Sequence, residues 1–399
     1  MWPFAKNLDD LTEEDLKGLI ANSVRESVNL EFKREMYPRK DPAEKVEMLR
    51  DICSMANADG GAFIFGMEED GVGQATMLRP VPEAEAEAKR IIDTCIANVM
   101  DRIPGLRTAL VGLAAGGEVL VVQIPRSYRR PHMIVVDDST EFWIRHDRRK
   151  ASMSIAEVRS AILTVEDATM KVEAFVRNRQ EALGRHTATY QLTLTATPLV
   201  LEDGRIDTGL RAIRDLLQNP PAFRPGRGVE LRPGSSSPVP SLAGARIESI
   251  GRTKWLEVYR SGHAEFLASG NDLVYQRMPS SPILIKGWAI AEYVRNFVHF
   301  VSKLRRITQM SDPFVFGLGL WRIGEVGMYR LRQDDFGGLF GDEPRKYSEG
   351  DLILPPAVGA PDELPDQVAR RILDLVWNAY GYESCPFFGS KGEFLIPEG

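Results

Sequence analysis

Cysteine is scarce in this chain: Cys53, Cys95 and Cys385 are its only three, and they lie far apart. That excludes a disulfide framework, and no Cys/His spacing suits structural zinc. Cys53 and Cys95 fall on apolar helix faces and read as small buried hydrophobes in a reducing compartment. Long apolar runs are also missing. None reaches the ~18 residues that a membrane span needs. The start, Met1-Trp2-Pro3-Phe4, lacks the basic stretch and long apolar run of a secretory signal. A cytoplasmic protein is therefore expected. No glycine-rich stretch leads into the Lys-Ser/Thr of a phosphate-binding loop, and no Gly-x-Ser-x-Gly or Cys/His nucleophile pair appears. Positive charge is not in surplus either. The net charge of −6 gives no global attraction to nucleic acid, so any such binding needs a local basic patch.

The 399 residues suggest two domains, or three. Thr12-Glu13-Glu14-Asp15 reads as a capped helix start. Val28, Leu30 and Phe32 alternate as in a strand, which puts Asn29, Glu31 and Lys33 together on its other face. Asp41-Pro42 opens a helix whose buried stripe is Val46, Leu49, Ile52, Cys53 and Ala56, ending at Asn57-Ala58-Asp59-Gly60-Gly61. Ala62–Met67 has no polar face and predicts a strand buried on both sides. A helix is expected over 82–103, with Ile91, Ile92, Cys95, Ile96, Val99 and Ile103 inward. Strands follow near 107–113, 118–124, 132–136 and 141–146, and a helix near 154–165 closes the unit. The mixture predicts an α+β, mixed α/β fold for residues 1–167. Residues 168–186 read as a helical connector. Residues 187–399 read as a second α/β domain, with strands at Tyr190–Ala196, Lys254–Tyr259 and Phe314–Trp321 and helices at 208–218, 286–306 and 364–379. The Pro/Gly/Ser-rich stretch 219–245 predicts a long surface loop or linker. His299, on an apolar helix, reads as a core histidine.

Two charged groupings carry chemical interest. Glu31 shares a strand face with Lys33, Glu26 lies just before that strand, and Glu69 lies where the buried strand emerges. Three carboxylates converging there would hold a hard divalent cation through oxygen. Such a cation activates water and offsets the charge building on a phosphodiester. Basic residues gather in two runs: Arg126, Arg129, Arg130 and His132, then Arg145, His146, Arg148, Arg149 and Lys150. This is the densest positive region of an acidic chain, suited to phosphate contacts, with Tyr128 and Trp143 placed to stack on bases. His132 and His146 read as hydrogen-bonding or phosphate-contact groups rather than proton shuttles.

Glu26-Ser-Val-Asn-Leu-Glu31-Phe-Lys33 resembles the opening motif of the Schlafen/AlbA_2 domain family. Ser54-Met-Ala-Asn57-Ala-Asp-Gly60-Gly61, followed by an apolar strand and Gly66-Met-Glu-Glu-Asp-Gly, resembles its second motif. Arg130-Pro131-His132 with Phe142-Trp143-Ile144-Arg145 resembles its closing element. The resemblance covers roughly residues 10–165. It implies the mixed α/β Schlafen-core fold and, in the family's nuclease branch, catalytic acids at Glu26, Glu31 and Glu69, with Glu68 as rival for the last and Lys33 beside them. It further implies Mg²⁺ or Mn²⁺ as cofactor and RNA, tRNA foremost, as substrate. A homodimer that supplies a groove and a role as an antiviral effector are further implications. A non-catalytic DNA-binding or regulatory protein using the same basic face is the alternative.

Overall fold

The apolar run after Gly60 has to be covered on both faces, and the structure, a computed structural model, is arranged around that requirement. It describes residues 2–4, 6–147, 149–186, 189–234, 236–276, 278–310, 312–329, 344–361 and 363–396. Two compact units divide the chain, Met1–Asp167 and Ala168–Gly399.

In the first unit, strand β1 (Leu30–Lys33) runs parallel to β2 (Gly60–Phe65), which is buried throughout. Strands β3 (Met67–Glu69) and β4 (Ala75–Leu78) form a small hairpin. After β5 (Val99–Met100), strands β6 (Arg107–Gly112) and β7 (Glu118–Pro125) complete the main sheet in the order β1-β2-β7-β6, with β7 antiparallel to both its neighbours. Strands β8 (Met133–Val136), β9 (Ser139–His146) and β10 (Arg149–Ser152) form a second sheet with β5, in the order β10-β9-β8-β5.

The period-two alternation of β2 feeds two cores. Phe63 and Phe65 face helices α2 (Pro42–Asn57) and α3 (Ala84–Asn98), packing with Met48, Ile52, Ile91 and Leu120. Ala62 and Ile64 face Leu16 of α1 (Glu13–Ala21), with Leu30, Phe32 and Val121. The two cysteines on these helices, Cys53 and Cys95, are buried thiols, as their apolar faces implied. Helix α2 begins as its sequence predicts. The Ala43 amide donates to the Asp41 carboxylate (2.9 Å), and Pro42 occupies the first turn. Its end is crowded as well as turned. Gly60 has φ +67°, and a Cβ there would stand 2.3 Å from the Arg126 amide nitrogen.

Several expectations for this unit need correction. The first strand starts at Leu30 rather than Val28, because a Ser27–Leu30 turn (Ser27 amide to Leu30 carbonyl, 2.9 Å) occupies the preceding residues. Helix α3 stops at Asn98, where Val99 enters β5, and Ile96 is exposed rather than inward. No break separates a closing helix from a connector. Ile155–Gly184 is one continuous helix, α4, with neither proline nor glycine before its last residue.

The second unit is built on strand β11 (Gln191–Pro198). Strands β12 (Val239–Pro240), β13 (Gly244–Glu248), β14 (Lys254–Tyr259) and β15 (Ala264–Ser269) extend its sheet on one side, and β18 (Phe314–Trp321) lies on the other, all antiparallel. Strands β16 (Val274–Tyr275), β17 (Leu284–Lys286) and β19 (Gly327–Tyr329) form a small separate sheet, while β20 (Leu352–Ile353) and β21 (Ala357–Gly359) both pair with β18. Leu192, Leu194 and Ala196 face a core shared with α5 (Arg211–Gln218), α6 (Gly287–Thr308) and α7 (Pro365–Ala379). On the other face, Gln180 of α4 bonds the hydroxyls of Thr193 and Thr195. The glycine-spaced sequence of β18 makes that approach possible, since a Cβ on Gly317 would lie 2.5 Å from the Val176 methyl. The stretch 219–245 is not a free linker. Its Leu231 is fully buried, and its Arg224 and Val229 amides donate to the buried Glu292 carboxylate. His299 is partly exposed and paired with Asp366 (2.6 Å) rather than lodged in the core.

Asn57, which closes α2, is buried and fully used. Its amide nitrogen donates to the carbonyls of His132 (3.2 Å) and Trp143 (2.8 Å), and its oxygen accepts from the His132 amide (2.7 Å). One side chain thus fastens the end of α2 to the residue before β8 and to the middle of β9. Asn57→Ala is expected to destabilise the first unit by ~2–3 kcal/mol, because it strands buried backbone groups. Urea unfolding followed by amide hydrogen exchange in α2 and β9 measures this, and an unchanged midpoint would show that the fastening carries no weight.

Candidate nucleic-acid interface and acidic cleft

Glu31 and Lys33 occupy one face of β1, as alternation requires, and form an ion pair at 3.0 Å. Arg145 of β9 reaches the same carboxylate at 2.5 Å, with only 4% of its side chain exposed. A guanidinium cannot shed its proton, so burial there demands a counter-ion, and Glu31 supplies it. The basic residue assigned to phosphate is therefore an internal partner of the acid.

Sequence reading missed a second group across the cleft. Asp51 of α2, buried, accepts from the Tyr37 hydroxyl (2.5 Å) and is paired with Lys150 and, at 3.6 Å, with Lys33. Lys150 also engages Glu47, one turn before Asp51. The spacing Glu47–Asp51 beside an apolar helix stripe was the available signal. Burial, then the Asp51 charge, pushes the Tyr37 hydroxyl well above its ordinary value. Burial disfavours the Lys33 ammonium, but Glu31 and Asp51 outweigh it and raise its pKa. These groups line a cleft of ≈ 390 Å³, walled also by Glu35 and Glu44. Five carboxylates against three cations leave it net negative by two.

Glu26 lies in the turn before β1, and its carboxylate accepts from the Phe32 amide at 2.8 Å. Its pKa is raised. Burial is the largest cause, the Phe32 amide opposes it, and the Glu31 and Glu69 charges push it further up. Glu69 is exposed at a register shift in the β3–β4 hairpin. Its neighbour Glu68 is paired with Arg79 and with Arg34 (3.1 Å), so of the two rivals Glu69 is the one whose field reaches Glu26.

Glu26, Glu31 and Glu69 offer the oxygen donors that Mg²⁺ or Mn²⁺ takes, and the adjoining cleft carries the excess charge of one divalent ion. Among the described residues, no three carboxylate, histidine or cysteine side chains form a ready-made cage. Mg²⁺ commonly takes only one or two protein carboxylates and completes its shell with water and substrate phosphate.

The basic runs separate into two populations. Arg145 and Lys150 are spent on internal carboxylates, and His146 is paired with Glu157 at 3.0 Å. Arg130 is partly buried and donates to the Ala58 carbonyl, and burial lowers its pKa. His132 is fully buried against the Asp101 carbonyl, burial lowers its pKa to about 4, and it does not line the cleft. Arg126, Arg129 and Arg149 are exposed, with Asp59 the nearest carboxylate to Arg126, at 3.7 Å. Arg148 lies outside the described residues. Trp143 is not open for stacking, since its indole donates to Glu141 (2.7 Å) and the Arg50 guanidinium covers its ring at 4.9 Å.

The second unit holds a hydroxyl–imidazole–carboxylate line. Thr197 Oγ1 lies 2.8 Å from His263 Nδ1, and His263 Nε2 lies 2.8 Å from Glu265, which also takes Arg179 and Tyr259. Thr197, His263 and Glu265 are all buried. Burial pushes the Glu265 carboxyl up, but His263 and Arg179 hold it down at about 2.

The fold and this acid–base cleft define a mixed α/β domain with paired charges at its strand ends. Residues 26–154 match the family described as Schlafen, AlbA_2, and this segment is a Schlafen AlbA_2 domain. It spans every site residue considered above for the first unit. Among solved structures, the chain is similar to the DIP2311 protein of Corynebacterium diphtheriae, with 17% identity and a TM-score of 0.25. The match covers 37% of this chain and 27% of that one, so the chain spans about a quarter of its length. It is also similar to the N-terminal domain of a RecG-related protein from Nitrosomonas europaea, with 20% identity, a TM-score of 0.23, and coverage of 30% and 73%. No curated protein matches.

The raised pKa of Glu26 has a testable sign. The folded chain holds that proton to higher pH than the unfolded chain. Stability therefore falls as pH rises from the ordinary carboxylate value to the raised one. Glu26→Gln keeps an acceptor for the Phe32 amide and removes the titration. It is expected to stabilise the fold at pH 7, and not at about pH 3. Melting curves at both pH values check this, and a variant less stable at pH 7 would contradict it.

Proposed function

We propose that the first unit binds the phosphate backbone of RNA and cleaves it with the help of Mg²⁺ or Mn²⁺ held by Glu26, Glu31 and Glu69. The observation that supports this reading is the Schlafen, AlbA_2 match over residues 26–154, within which Glu31 is held on its strand face by Lys33 and Arg145. When bound, the ion supplies an activated water and offsets charge on the phosphodiester. The chain's own residues do the rest. Arg145 and Lys33 fix the direction of the Glu31 carboxylate, and Lys33, partly open to solvent, is placed to meet a phosphate oxygen. Arg126, Arg129 and Arg149 offer bidentate contacts to flanking phosphates. Structured RNA, with tRNA first, is the favoured substrate, and disabling translation is the biological outcome that such cutting implies.

One observation favours a second reading, a nucleic-acid-binding module without chemistry. Two cations already neutralise Glu31, and Asp51 and Glu47 are closed into ion pairs with Lys150.

Purified full chain incubated with tRNA, single-stranded RNA or duplex DNA, with Mn²⁺ or with chelator, tests both. Metal-dependent cleavage of RNA that Glu31→Ala lowers at least ~100-fold, with binding retained, supports the nuclease. Tight binding with no cleavage in any metal supports the second reading. Cleavage that survives Glu31→Ala, or no binding at all, overturns the proposal. Reversing Arg126, Arg129 and Arg149 to Glu is expected to weaken binding and flatten its salt dependence by about one slope unit per lost phosphate contact.

A further inference from the structure

The outer face of the second unit's sheet is covered on one side only. Val176 and Gln180 of α4 lie over β11 and β18. Beyond them, β13 and β14 leave a pocket of ≈ 260 Å³ between the sheet and the last turns of α4, wholly within the second unit. Its floor follows from alternation. Leu256 and Val258 face the core, so Trp255, Glu257 and Tyr259 face outward. The strand register sets Arg246 beside Glu257 and Glu248 beside Trp255. Arg179, Ala182 and Leu183 form the wall. The exposed His186 stands perpendicular to Trp255, with ring centroids 4.3 Å apart.

The polar groups here are unequally satisfied. Glu257 is buried and accepts from the hydroxyls of Ser241 (2.6 Å) and Tyr259 (3.2 Å). Arg179 is spent on Glu265, through two bonds of 2.6 and 2.8 Å. Arg246 is not spent. Its Nε is buried and has no hydrogen-bond acceptor among the described residues, although a Glu248 oxygen lies 3.1 Å away. Its terminal nitrogens reach Glu248 only at 3.5 Å and Glu257 only at 3.9 Å. A guanidinium N–H withdrawn from water without an acceptor is costly, and an acceptor entering the pocket would remove that cost.

Charge narrows the class of ligand. Arg179, Arg246 and Arg252 balance Glu248, Glu257 and Glu265, so the pocket selects neither a free anion nor a free cation. What it offers is a planar fork of donors beside a carboxylate, walled by aromatic rings. The complement is a flat ring with acceptors on one edge and donors on the next. Guanine has that pattern. Its O6 and N7 accept from a guanidinium, and its N1–H and N2–H groups donate to a carboxylate. Adenine carries an amino group in place of O6 and a bare N1, so it meets the arginine with a donor and the carboxylate with an acceptor. The volume lies just under the ~300 Å³ at which pockets for drug-sized ligands begin, which leaves room for one base.

We propose that this pocket binds the guanine base of a nucleoside or nucleotide, with Arg246 donating to O6 and N7 and Glu248 accepting from N1 and N2. It does not rest on the nuclease reading.

Isothermal titration calorimetry of the full chain with GMP, AMP and inorganic phosphate tests it. GMP is expected to bind with a Kd below about 1 mM and at least about tenfold tighter than AMP, with no competition from phosphate. Glu248→Gln should weaken GMP binding about tenfold. Ala182→Trp, at an exposed helix position, fills the pocket from its wall and should abolish binding with the melting temperature unchanged. No binding of GMP below about 1 mM, equal binding of AMP, displacement of GMP by phosphate, or GMP binding that survives Ala182→Trp overturns the proposal.

Discussion

The ion pair between Glu31 and Arg145 is the constraint on which the first unit's cleft depends. An always-charged guanidinium lies almost wholly out of water, and removing its partner would leave that charge uncompensated at a cost of ~3–5 kcal/mol. The pair joins β1 of the main sheet to β9 of the second sheet, so the two cannot part without exposing it. Through Lys33 and Lys150 the same charge balance extends to Asp51 and Glu47 on α2. The orientation of Glu31 is therefore set by three elements that are remote in sequence.

This balance changes how the positive charge of the chain is understood. Arg145 and Lys150 of the basic run at 145–150 hold carboxylates that the fold has drawn inward. Among the described residues, what remains for a polyanion is a thin outer set, Arg126, Arg129 and Arg149, on a chain of net charge −6. Affinity for nucleic acid would rest on few phosphate contacts, and a negative cleft favours substrate arriving with its own cation.

Much of the core was legible because it obeys simple periodicities. Ala62–Met67 lacked a polar face and became a buried strand, and β14 and β18 appear at the residues their patterns marked. The Asp41-Pro42 cap and the glycines after Asn57 placed both ends of α2. The spacing of Glu31 and Lys33 gave their shared face. Tertiary pairing was less visible. Nothing local distinguishes Arg145, which is buried, from Arg149, which is not, since that depends on which strand lies opposite. Asp51 was hidden because a carboxylate beside an apolar stripe looks like a solvated helix flank until Tyr37 and two lysines are brought to it. Ile96 misled because a stretch of apolar residues cannot show which side of a helix its neighbours will leave bare. The composition of 219–245 suggested slack chain, yet the buried Glu292 takes up two of its backbone amides.

Thr197, His263 and Glu265 have the connectivity of a hydrolytic charge relay, yet all three are buried. Reactivity requires a route in from solvent, and these side chains are bonded to one another in the interior. The same three groups that would make a catalyst at a surface act as mortar in an interior, with Arg179 and Tyr259 completing the joint around Glu265.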